Sequence, residues 1–278
     1  MIKKLNLHGH KLSLKHPLVM GVLNITNDSF SDGGQWLDQE AALGQVRLMV
    51  DAGAGIIDVG GESTRPGAVA VSLQEELDRV VPLIEQISTN IDIPISIDTS
   101  KAEVMSAAVA AGAGMINDVW ALRKPGALQA AAAAKVPICL MHMLGEPGNM
   151  QKQPRYNDVI DDISWFFTER LTAASEAGIK RKHILLDPGF GFGKTLQHNL
   201  TLLAKLNAFA SFDLPLLIGI SRKSMLGQLT GCAVDARLPA GLAAASIAVL
   251  QGAKIVRTHD VAATVQALQV CTAVMNSN

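Results

Sequence analysis

The sequence predicts an α/β fold, a (β/α)8 TIM barrel with an N-terminal β-hairpin. Eight short apolar runs alternate with helix-length segments over about 260 residues, which fits eight strand–helix units. The runs consist mostly of Ile, Val, Leu and Met, as is typical of parallel strands buried on both faces. Residues 1–278 are therefore expected to form a single barrel domain, in which residues 1–16 supply the hairpin. An open doubly wound sheet is the alternative arrangement of the same units.

The hairpin is predicted by four leucines that alternate with polar residues around the turn His8-Gly9-His10. Alternation at a period of two places Leu5, Leu7, Leu12 and Leu14 on a common face, which could close the bottom of the barrel. The predicted strands that follow are Leu18–Leu23, Ile56–Val59, Ile93–Ile97, Met115–Ile116, Val136–Met141, Ile184–Leu186, Leu216–Ile220 and Lys254–Val256.

The helix-length segments have recognisable starts. Ser72 with Glu75 predicts a capping box, Ser100 and Asp260 can cap the helices that they precede, and Pro239 suits a first helical turn. The predicted helices are Asp38–Ala52, Leu73–Thr89, Lys101–Ala111, Gly126–Ala134, Asp158–Ala177, Leu196–Phe209, Pro239–Gln251 and Val261–Val274.

Composition excludes several classes of protein. With 24 basic and 25 acidic side chains, the net charge of −1 argues against a nucleic-acid partner. No apolar stretch reaches the length of about 18 residues that a membrane helix needs, and the basic start is not followed by the apolar run of a secretory signal. Cys139, Cys232 and Cys271 are few and widely spaced, so we expect buried thiols and a cytoplasmic protein without disulfides.

Polar side chains end nearly every predicted strand. In a barrel all of these ends meet at the C-terminal face, where active sites of such barrels lie. The strand ends and the loops that follow them are Asn24, Gly60–Gly67, Asp98, Asn117–Asp118, Met141–Met143, Asp187–Lys194, Ser221–Ser224 and Arg257–Asp260.

Basic groups gather after the last two predicted strands, at the usual phosphate location of such barrels. Arg222 and Lys223 follow the seventh strand, Arg257 and His259 follow the eighth, and Arg65 lies in the loop after the second. Arginine contacts phosphate oxygens through two parallel hydrogen bonds, so this set suits a diphosphate.

Two acids and an amide complement these cations. Asp98 and Asp187 end the third and sixth strands, and Asn117 ends the fourth. Carboxylate and amide groups can read a flat heterocycle that is rich in hydrogen-bond donors. Alternatively the two acids could serve as general acid and base. His142 could contact a ligand or could simply pack behind the fifth strand.

Several familiar site motifs do not match. The segment Gly189–Thr195 has a Gly-Lys-Thr ending, but its spacing departs from that of a Walker A loop. The chain contains neither Cys-x-x-Cys nor His-x-x-x-His, which argues against a zinc site.

Taken together, several segments of the sequence resemble the dihydropteroate synthase family, and the resemblance covers essentially the whole chain. The resemblance rests on Met20–Gly34 (MGVLNITNDSFSDGG), Gly60–Gly67, Ser96–Lys101, Asp187–Lys194, Ser221–Ser224 and Arg257–Val261, which follow one another in the family's order. The family reaction joins 7,8-dihydropterin-6-ylmethyl diphosphate to para-aminobenzoate and gives 7,8-dihydropteroate and pyrophosphate. The family usually has proline where this chain has Asn27, which bears on closure of the first loop.

The resemblance implies a role for each matching residue. Asp98, Asn117, Asp187 and Lys223 should hold the pterin, with Met141 packing nearby. Asn24, Arg257 and His259 should hold the diphosphate, and Asn24 should also bind Mg²⁺. Thr64, Arg65 and Pro66 should belong to a loop that closes over the substrates. Phe192, Lys223 and Ser224 should line the aminobenzoate pocket, where sulfonamides compete. Arg65, Lys223, Arg257 and His259 are the expected catalytic residues, and a cytoplasmic homodimer is expected.

Three rival functions remain open. A pterin-dependent methyltransferase barrel would share the acids that read the pterin, but would not need Arg65, Arg257 and His259 as a diphosphate clamp. A second rival is a catalytically inactive pterin-binding module or scaffold, against which the intact Asn24, Arg65, Lys223 and Arg257 argue. An unrelated phosphate-handling barrel enzyme would not bind dihydropterin tightly.

Overall fold

The computed structural model describes residues 2–25, 34–63, 70–145, 150 and 153–277, and for residues 34–38 it describes the backbone alone. The strands are β1 (Lys4–Leu7), β2 (His10–Ser13), β3 (Leu18–Asn24), β4 (Ile56–Gly60), β5 (Ile95–Asp98), β6 (Met115–Asp118), β7 (Ile138–Met141), β8 (Ile184–Asp187), β9 (Leu216–Gly219) and β10 (Ala253–Thr258). The α-helices are α1 (Gly34–Asp51), α2 (Leu73–Asn90), α3 (Ala102–Ala110), α4 (Ala127–Ala134), α5 (Val159–Glu176), α6 (Leu196–Ala204), α7 (Ser224–Thr230), α8 (Leu238–Leu250) and α9 (Val261–Asn276).

Strands β3 to β10 form a closed parallel barrel in which β10 pairs with both β9 and β3. This confirms the predicted (β/α)8 barrel and rules out the open doubly wound sheet. The strands are short and almost wholly buried because the helices cover their outer face. Some helices differ from the prediction. Helix α7 was not predicted, and the segment expected as one helix from 196 to 209 is α6 followed by a 3₁₀ helix at Leu206–Phe212.

The N-terminal hairpin closes the bottom of the barrel, as predicted. Leu5 pairs with Leu12, and His8 and Gly9 both have positive φ, the backbone of a two-residue type I′ turn. The hairpin's Leu5, Leu7 and Leu14 pack on the lowest interior layer of the barrel. That layer consists of Met20, Ile56, Met115, Cys139, Leu185, Leu217 and Ile255. The hairpin approaches so closely that a side chain at Gly114 would lie 2.6 Å from the Leu7 carbonyl carbon.

The predicted helix starts are partly wrong. The Ser72 hydroxyl accepts a hydrogen bond from the Glu75 amide, but the Glu75 carboxylate pairs with Arg79 instead of completing a capping box. Ser100 does not cap α3, because the residue that precedes the helix is Lys101. Asp260 does precede α9, but its carboxylate makes no capping bond. Pro239 lies in the first turn of α8, as predicted.

Two of the three cysteines are buried as predicted, and the third is not. Cys139 and Cys271 are buried, whereas Cys232 is partly exposed because it follows α7 in a surface connection. Among the helices described, none combines the length and apolar character needed to cross a membrane.

Side chains alternate along each strand, so the residue two positions beyond the lowest layer also faces the barrel interior. This second layer contains the first polar side chains of the barrel interior. Each lies two residues beyond a residue of the lowest layer: Asp58 beyond Ile56, Asn117 beyond Met115, Asp187 beyond Leu185 and Arg257 beyond Ile255. The core below is apolar and closed, so these side chains are directed towards the C-terminal face.

Candidate active site

A cleft of about 350 Å³ opens at the C-terminal face of the barrel, a size typical of small-molecule sites. It lies where the ends of the parallel strands meet. The predicted site residues that line it are Asn24, Asp98, Asn117, Met141, Asp187, Phe192, Lys223, Ser224, Arg257 and His259. Thr64, Arg65 and Pro66 lie outside the described residues, as does Asn27.

Arg257 is the centre of a charged network across the cleft floor. Its Nε donates to Asp58 Oδ2 at 2.6 Å, and its Nη2 donates to Asp98 Oδ2 at 2.8 Å. The Asn117 amide donates to the same Asp58 oxygen at 3.1 Å. These two guanidinium bonds use two of the five N–H donors of arginine, so the group keeps capacity for a ligand in the cleft.

Burial changes the protonation of the two predicted acids. It raises the pKa of Asp98 to about 7, against the opposing effect of Arg257 and with further raising by the charges of Asp58, Asp118 and Glu76. Burial also raises the pKa of Asp187, against the lowering effect of Lys223 and of the hydrogen bond from the Gly189 amide. The neighbouring cations therefore favour the charged form of both acids.

Lys223 is one of those cations. Its ammonium donates to the Phe190 carbonyl oxygen and lies 4.4 Å from the centroid of the Phe192 ring, a cation–π distance. Burial lowers the pKa of Lys223 to about 8, and the charge of Asp187 opposes that shift. The amine is thus held between the predicted pterin-reading acid and the predicted aminobenzoate pocket.

The loops that follow β9 and β10 are tied together. Arg222 Nη2 donates to Asp260 Oδ1 at 2.6 Å and Arg222 Nε donates to Asp260 Oδ2 at 3.2 Å. This pair explains why the Asp260 carboxylate does not cap α9. The residues that directly precede this pair are also in contact, since Ser221 Oγ lies 3.1 Å from His259 Nδ1. The pairing fixes the loop of Lys223 relative to the strand that carries Arg257.

Two acids of the site were not predicted. Asp58 lies within a predicted strand and has no distinguishing motif, so only the contacts across the barrel identify it. Glu62 also lines the cleft, and it accepts from Lys101 Nζ at 2.6 Å. The same ammonium contacts Glu76, which is fully buried on α2. The sequence pointed only weakly to Glu62, through its position in the glycine-rich loop that follows β4.

His142 is a packing residue rather than part of the cleft lining. It is 5% exposed, and its ring meets the Phe166 ring edge to face with centroids 4.9 Å apart. Burial lowers its pKa well below the usual range, and the charges of Lys194 and Arg123 lower it further. The contacts of the described residues therefore favour the packing alternative for His142.

Asn24 offers one oxygen ligand of the kind that a magnesium ion takes. Within the described ranges, no group of three or more His, Cys, Asp or Glu side chains is arranged to hold a metal. Mg²⁺ commonly keeps several waters and takes one or two protein oxygens together with substrate phosphates. The Asn24 amide oxygen, at the end of β3 and close to Gly60, can supply one such oxygen.

Comparisons with known proteins agree with this geometry. Residues 20–259 match the family described as pterin binding enzyme. Dihydropteroate synthase from Escherichia coli K12 is 52% identical over 274 residues, which are 99% of this chain and 97% of that protein. The solved dihydropteroate synthase of Yersinia pestis with a sulfonamide drug complex has a TM-score of 0.94 and 50% identity, covering 99% of this chain and 100% of that chain. The Xanthomonas albilineans enzyme with 4-aminobenzoic acid has a TM-score of 0.93 and 49% identity, covering 99% of each chain.

Proposed function

The chain belongs to the dihydropteroate synthase family of pterin-binding enzymes, and we propose that in its reaction the diphosphate departs before the amine attacks. Members of the family are transferases that join 7,8-dihydropterin-6-ylmethyl diphosphate to para-aminobenzoate. The observation that carries the proposal is a single cleft in which the carboxylates of Asp98 and Asp187 lie with the cations of Lys223 and Arg257. A pterin that becomes cationic and a diphosphate that leaves require these two kinds of charge.

The reacting bond is the C–O bond between the pterin methylene and the diphosphate. When it breaks, its electron pair leaves with the diphosphate, and the electron-rich pterin carries the positive charge. Asp98 and Asp187, preorganised at the ends of β5 and β8, favour that charge electrostatically. The amine of para-aminobenzoate then forms the C–N bond and loses its proton to solvent, so the reaction needs no strong base.

The cations act on the leaving group. Arg257, His259 and Arg65 are assigned to the diphosphate oxygens, where bidentate and charged hydrogen bonds are strongest. Asn24 would hold a Mg²⁺ ion, which when bound neutralises diphosphate charge. Asp98, Asn117, Asp187 and Lys223 are assigned to the pterin, with Met141 packing beside it. Phe192, Lys223 and Ser224 are assigned to the aminobenzoate pocket, where a sulfonamide would compete. Thr64, Arg65 and Pro66 are assigned to the loop that closes over the diphosphate and the aminobenzoate.

A cytoplasmic homodimer is also proposed. Helix α8 buries Ala244 and Ala248 but exposes Ile247 and Leu250, so one side is core and the other is an apolar surface. An apolar surface of this kind is typical of subunit interfaces.

The decisive assay measures pyrophosphate release by the purified protein with Mg²⁺ and the dihydropterin diphosphate, with and without para-aminobenzoate. We expect dihydropteroate and pyrophosphate to form in step, and only when the amine is present. Removal of Mg²⁺ with EDTA should slow release, and added Mg²⁺ should restore it. Pterin binding without product would instead favour the methyltransferase or the inactive module, and a failure to bind dihydropterin would favour an unrelated phosphate enzyme.

The Lys223→Ala variant should bind the pterin about 10- to 150-fold more weakly, since a charged hydrogen bond contributes about 1.5–3 kcal/mol. Loss of the ammonium also removes a cause that lowers the pKa of Asp187. That pKa should rise, so pterin binding should recover as the pH increases. Calorimetric titration measures both effects. Lys223→Arg should retain most of the affinity, and the exposed Lys205→Ala is the matched control. An unaltered affinity in Lys223→Ala would refute the assignment.

A further inference from the structure

One buried lysine near the cleft, Lys194, has no role in the reaction described above. Burial and the charge of Lys223 lower its pKa, and the charge of Asp187 opposes that shift. Lys194 follows β8 in the connection to α6, and it is 3% exposed. Its ammonium donates to the Gly189 carbonyl oxygen at 2.8 Å and to the Phe192 carbonyl oxygen at 3.1 Å. The third neighbour is His142 Nδ1, 3.0 Å away.

The three neighbours match the three N–H donors of a lysine ammonium. All of them are neutral acceptors if the His142 proton lies on Nε2, which leaves the Nδ1 lone pair for Lys194. The His142 ring is fixed by Phe166, and it lies 6.0 Å from the Tyr156 ring between centroids. The ammonium is therefore held at a defined point by groups from two separate strand-end loops, those after β7 and β8.

The loop that the ammonium holds has little regular structure of its own. Gly189, Gly191 and Gly193 have φ values of +69°, +81° and +63°, a conformation that glycine adopts without strain. Side chains fix its backbone: the Tyr156 hydroxyl donates to the Gly193 carbonyl oxygen at 2.8 Å, and the Gly191 amide donates to Asn199 Oδ1 at 2.8 Å. Lys194 Nζ links the carbonyl oxygens of Gly189 and Phe192, the first and fourth residues of the segment 189–193.

The glycine loop, residues 189–193, carries two groups of the active site. The Phe192 ring lines the cleft beside the Lys223 ammonium, and the Phe190 carbonyl oxygen accepts a hydrogen bond from that ammonium. Lys194 bonds the carbonyl of Phe192 itself, so a change in this bond changes the placement of the ring. The route from Lys194 to the cleft thus runs through one residue.

We propose that Lys194 is a positioning residue for the aminobenzoate half of the reaction, acting through Phe192, and that His142 is the acceptor that holds its side-chain nitrogen in place. The inference rests on the proposed function, because it assigns Phe192 to the aminobenzoate pocket. Lys194 does not line the described part of the cleft. Its effect is expected on binding of the amine rather than on cleavage of the C–O bond.

The test compares Lys194→Met with wild type in steady-state kinetics. Methionine keeps the length of the side chain and removes all three donors. We expect the KM for para-aminobenzoate to rise about tenfold, because removal of the Lys194 donors leaves buried acceptors of the loop unsatisfied, while kcat and the KM for the pterin diphosphate change by less than about threefold. An unchanged KM for para-aminobenzoate in a folded Lys194→Met variant would overturn the proposal.

The paired variants His142→Asn and His142→Leu test the same idea without altering the lysine. An asparagine Oδ1 occupies nearly the place of histidine Nδ1 and can accept from Lys194, whereas leucine cannot accept. We expect His142→Asn to keep the wild-type KM and His142→Leu to behave like Lys194→Met. Equal KM values for the two would contradict the assignment of His142, and the pair decides the question if Lys194→Met does not fold.

A control variant far from the cleft distinguishes a positioning role of Lys194 from a general effect on stability. Ile87 on α2 is fully buried, so Ile87→Ala should lower Tm as much as the test variants or more. It should leave the KM for para-aminobenzoate unchanged. A KM that rises equally in Ile87→Ala would show that reduced stability alone accounts for the effect.

An independent readout does not use the reaction. The Phe192 amide bonds the Gly189 carbonyl oxygen at 3.1 Å, so loosening of the glycine loop should speed its hydrogen exchange. We expect faster exchange at Gly191 and Phe192 in Lys194→Met, and unchanged exchange would overturn the proposal. A wild-type protein without product formation would refute the proposed function instead, and the exchange measurement would still decide whether Lys194 holds the loop.

Discussion

In a single turnover, the Arg257→Ala variant should release pyrophosphate about 100- to 1,000-fold more slowly than wild type, the usual cost of losing one preorganised charge-stabilising group. Departure of the diphosphate places negative charge where the guanidinium is assigned. By contrast, the KM for para-aminobenzoate should change by less than about threefold, because neither bond that fixes Arg257 involves a residue assigned to the aminobenzoate pocket. Rapid-quench measurement of pyrophosphate with saturating substrates separates the two effects.

The same substitution removes the partner of two buried carboxylates. Since Arg257 lowers the pKa of Asp98, its loss should raise that pKa above about 7 and move the acidic limb of the rate profile to higher pH. Arg257→Lys retains a positive charge but not the two fixed bonds, so it should regain only part of the rate. The exposed Arg181, which donates to the Phe212 carbonyl oxygen, supplies the matched Arg→Ala control. A wild-type single-turnover rate in Arg257→Ala would exclude the leaving-group role.

Position along the strands made much of the site predictable. A polar residue at the end of a parallel strand must lie at the C-terminal face once the sheet closes, whichever helices follow it. Asn24, Asp98, Asn117 and Asp187 were found on this basis, and all four line the cleft. The barrel was predicted from the number and length of the alternating strand and helix units. Residues 1–16 precede the first unit, so the hairpin was predicted as a separate element.

Partners across the barrel could not be predicted in the same way. Arg257 and Asp58 are separated by 199 residues, and no local pattern states which carboxylate a given guanidinium meets. Asp260 illustrates the converse case: its position before a helix predicted a cap, but a long-range bond to Arg222 takes the carboxylate. The resemblance to a known family supplied candidate roles for individual residues, which local periodicity alone does not provide.

Asp58 was missed because it occupies the middle of an apolar run rather than its end. The run Ile56–Gly60 is buried at every position, so an aspartate within it has no solvent to stabilise its charge. Its stabilisation comes from Arg257 Nε and from the Asn117 amide, both on Oδ2. Asp58 therefore connects the residue assigned to the diphosphate with a residue assigned to the pterin, and it acts as a positioning residue for both.

The Asp58→Asn variant should lower kcat by about 10- to 100-fold, the loss of one charged hydrogen bond in a buried network. It should also shift the pH dependence in a defined direction. The charge of Asp58 raises the pKa of Asp98, so removing that charge should lower the pKa from about 7. Because the ionised form of Asp98 is the one assigned to the cationic pterin, the acidic limb of the rate profile should move to lower pH.

The neighbouring Ser96 provides the control for Asp58. It pairs in register with Asp58 on β5, it is fully buried, and its hydroxyl has no hydrogen-bond partner among the described residues. Ser96→Ala should therefore preserve both kcat and the pH profile, while a small change in Tm is acceptable. A purely structural role for Asp58 would lower Tm and leave the acidic limb where it is in wild type. An Asp58→Asn variant with that behaviour would show that the carboxylate supports the barrel alone and does not set the charge of Asp98.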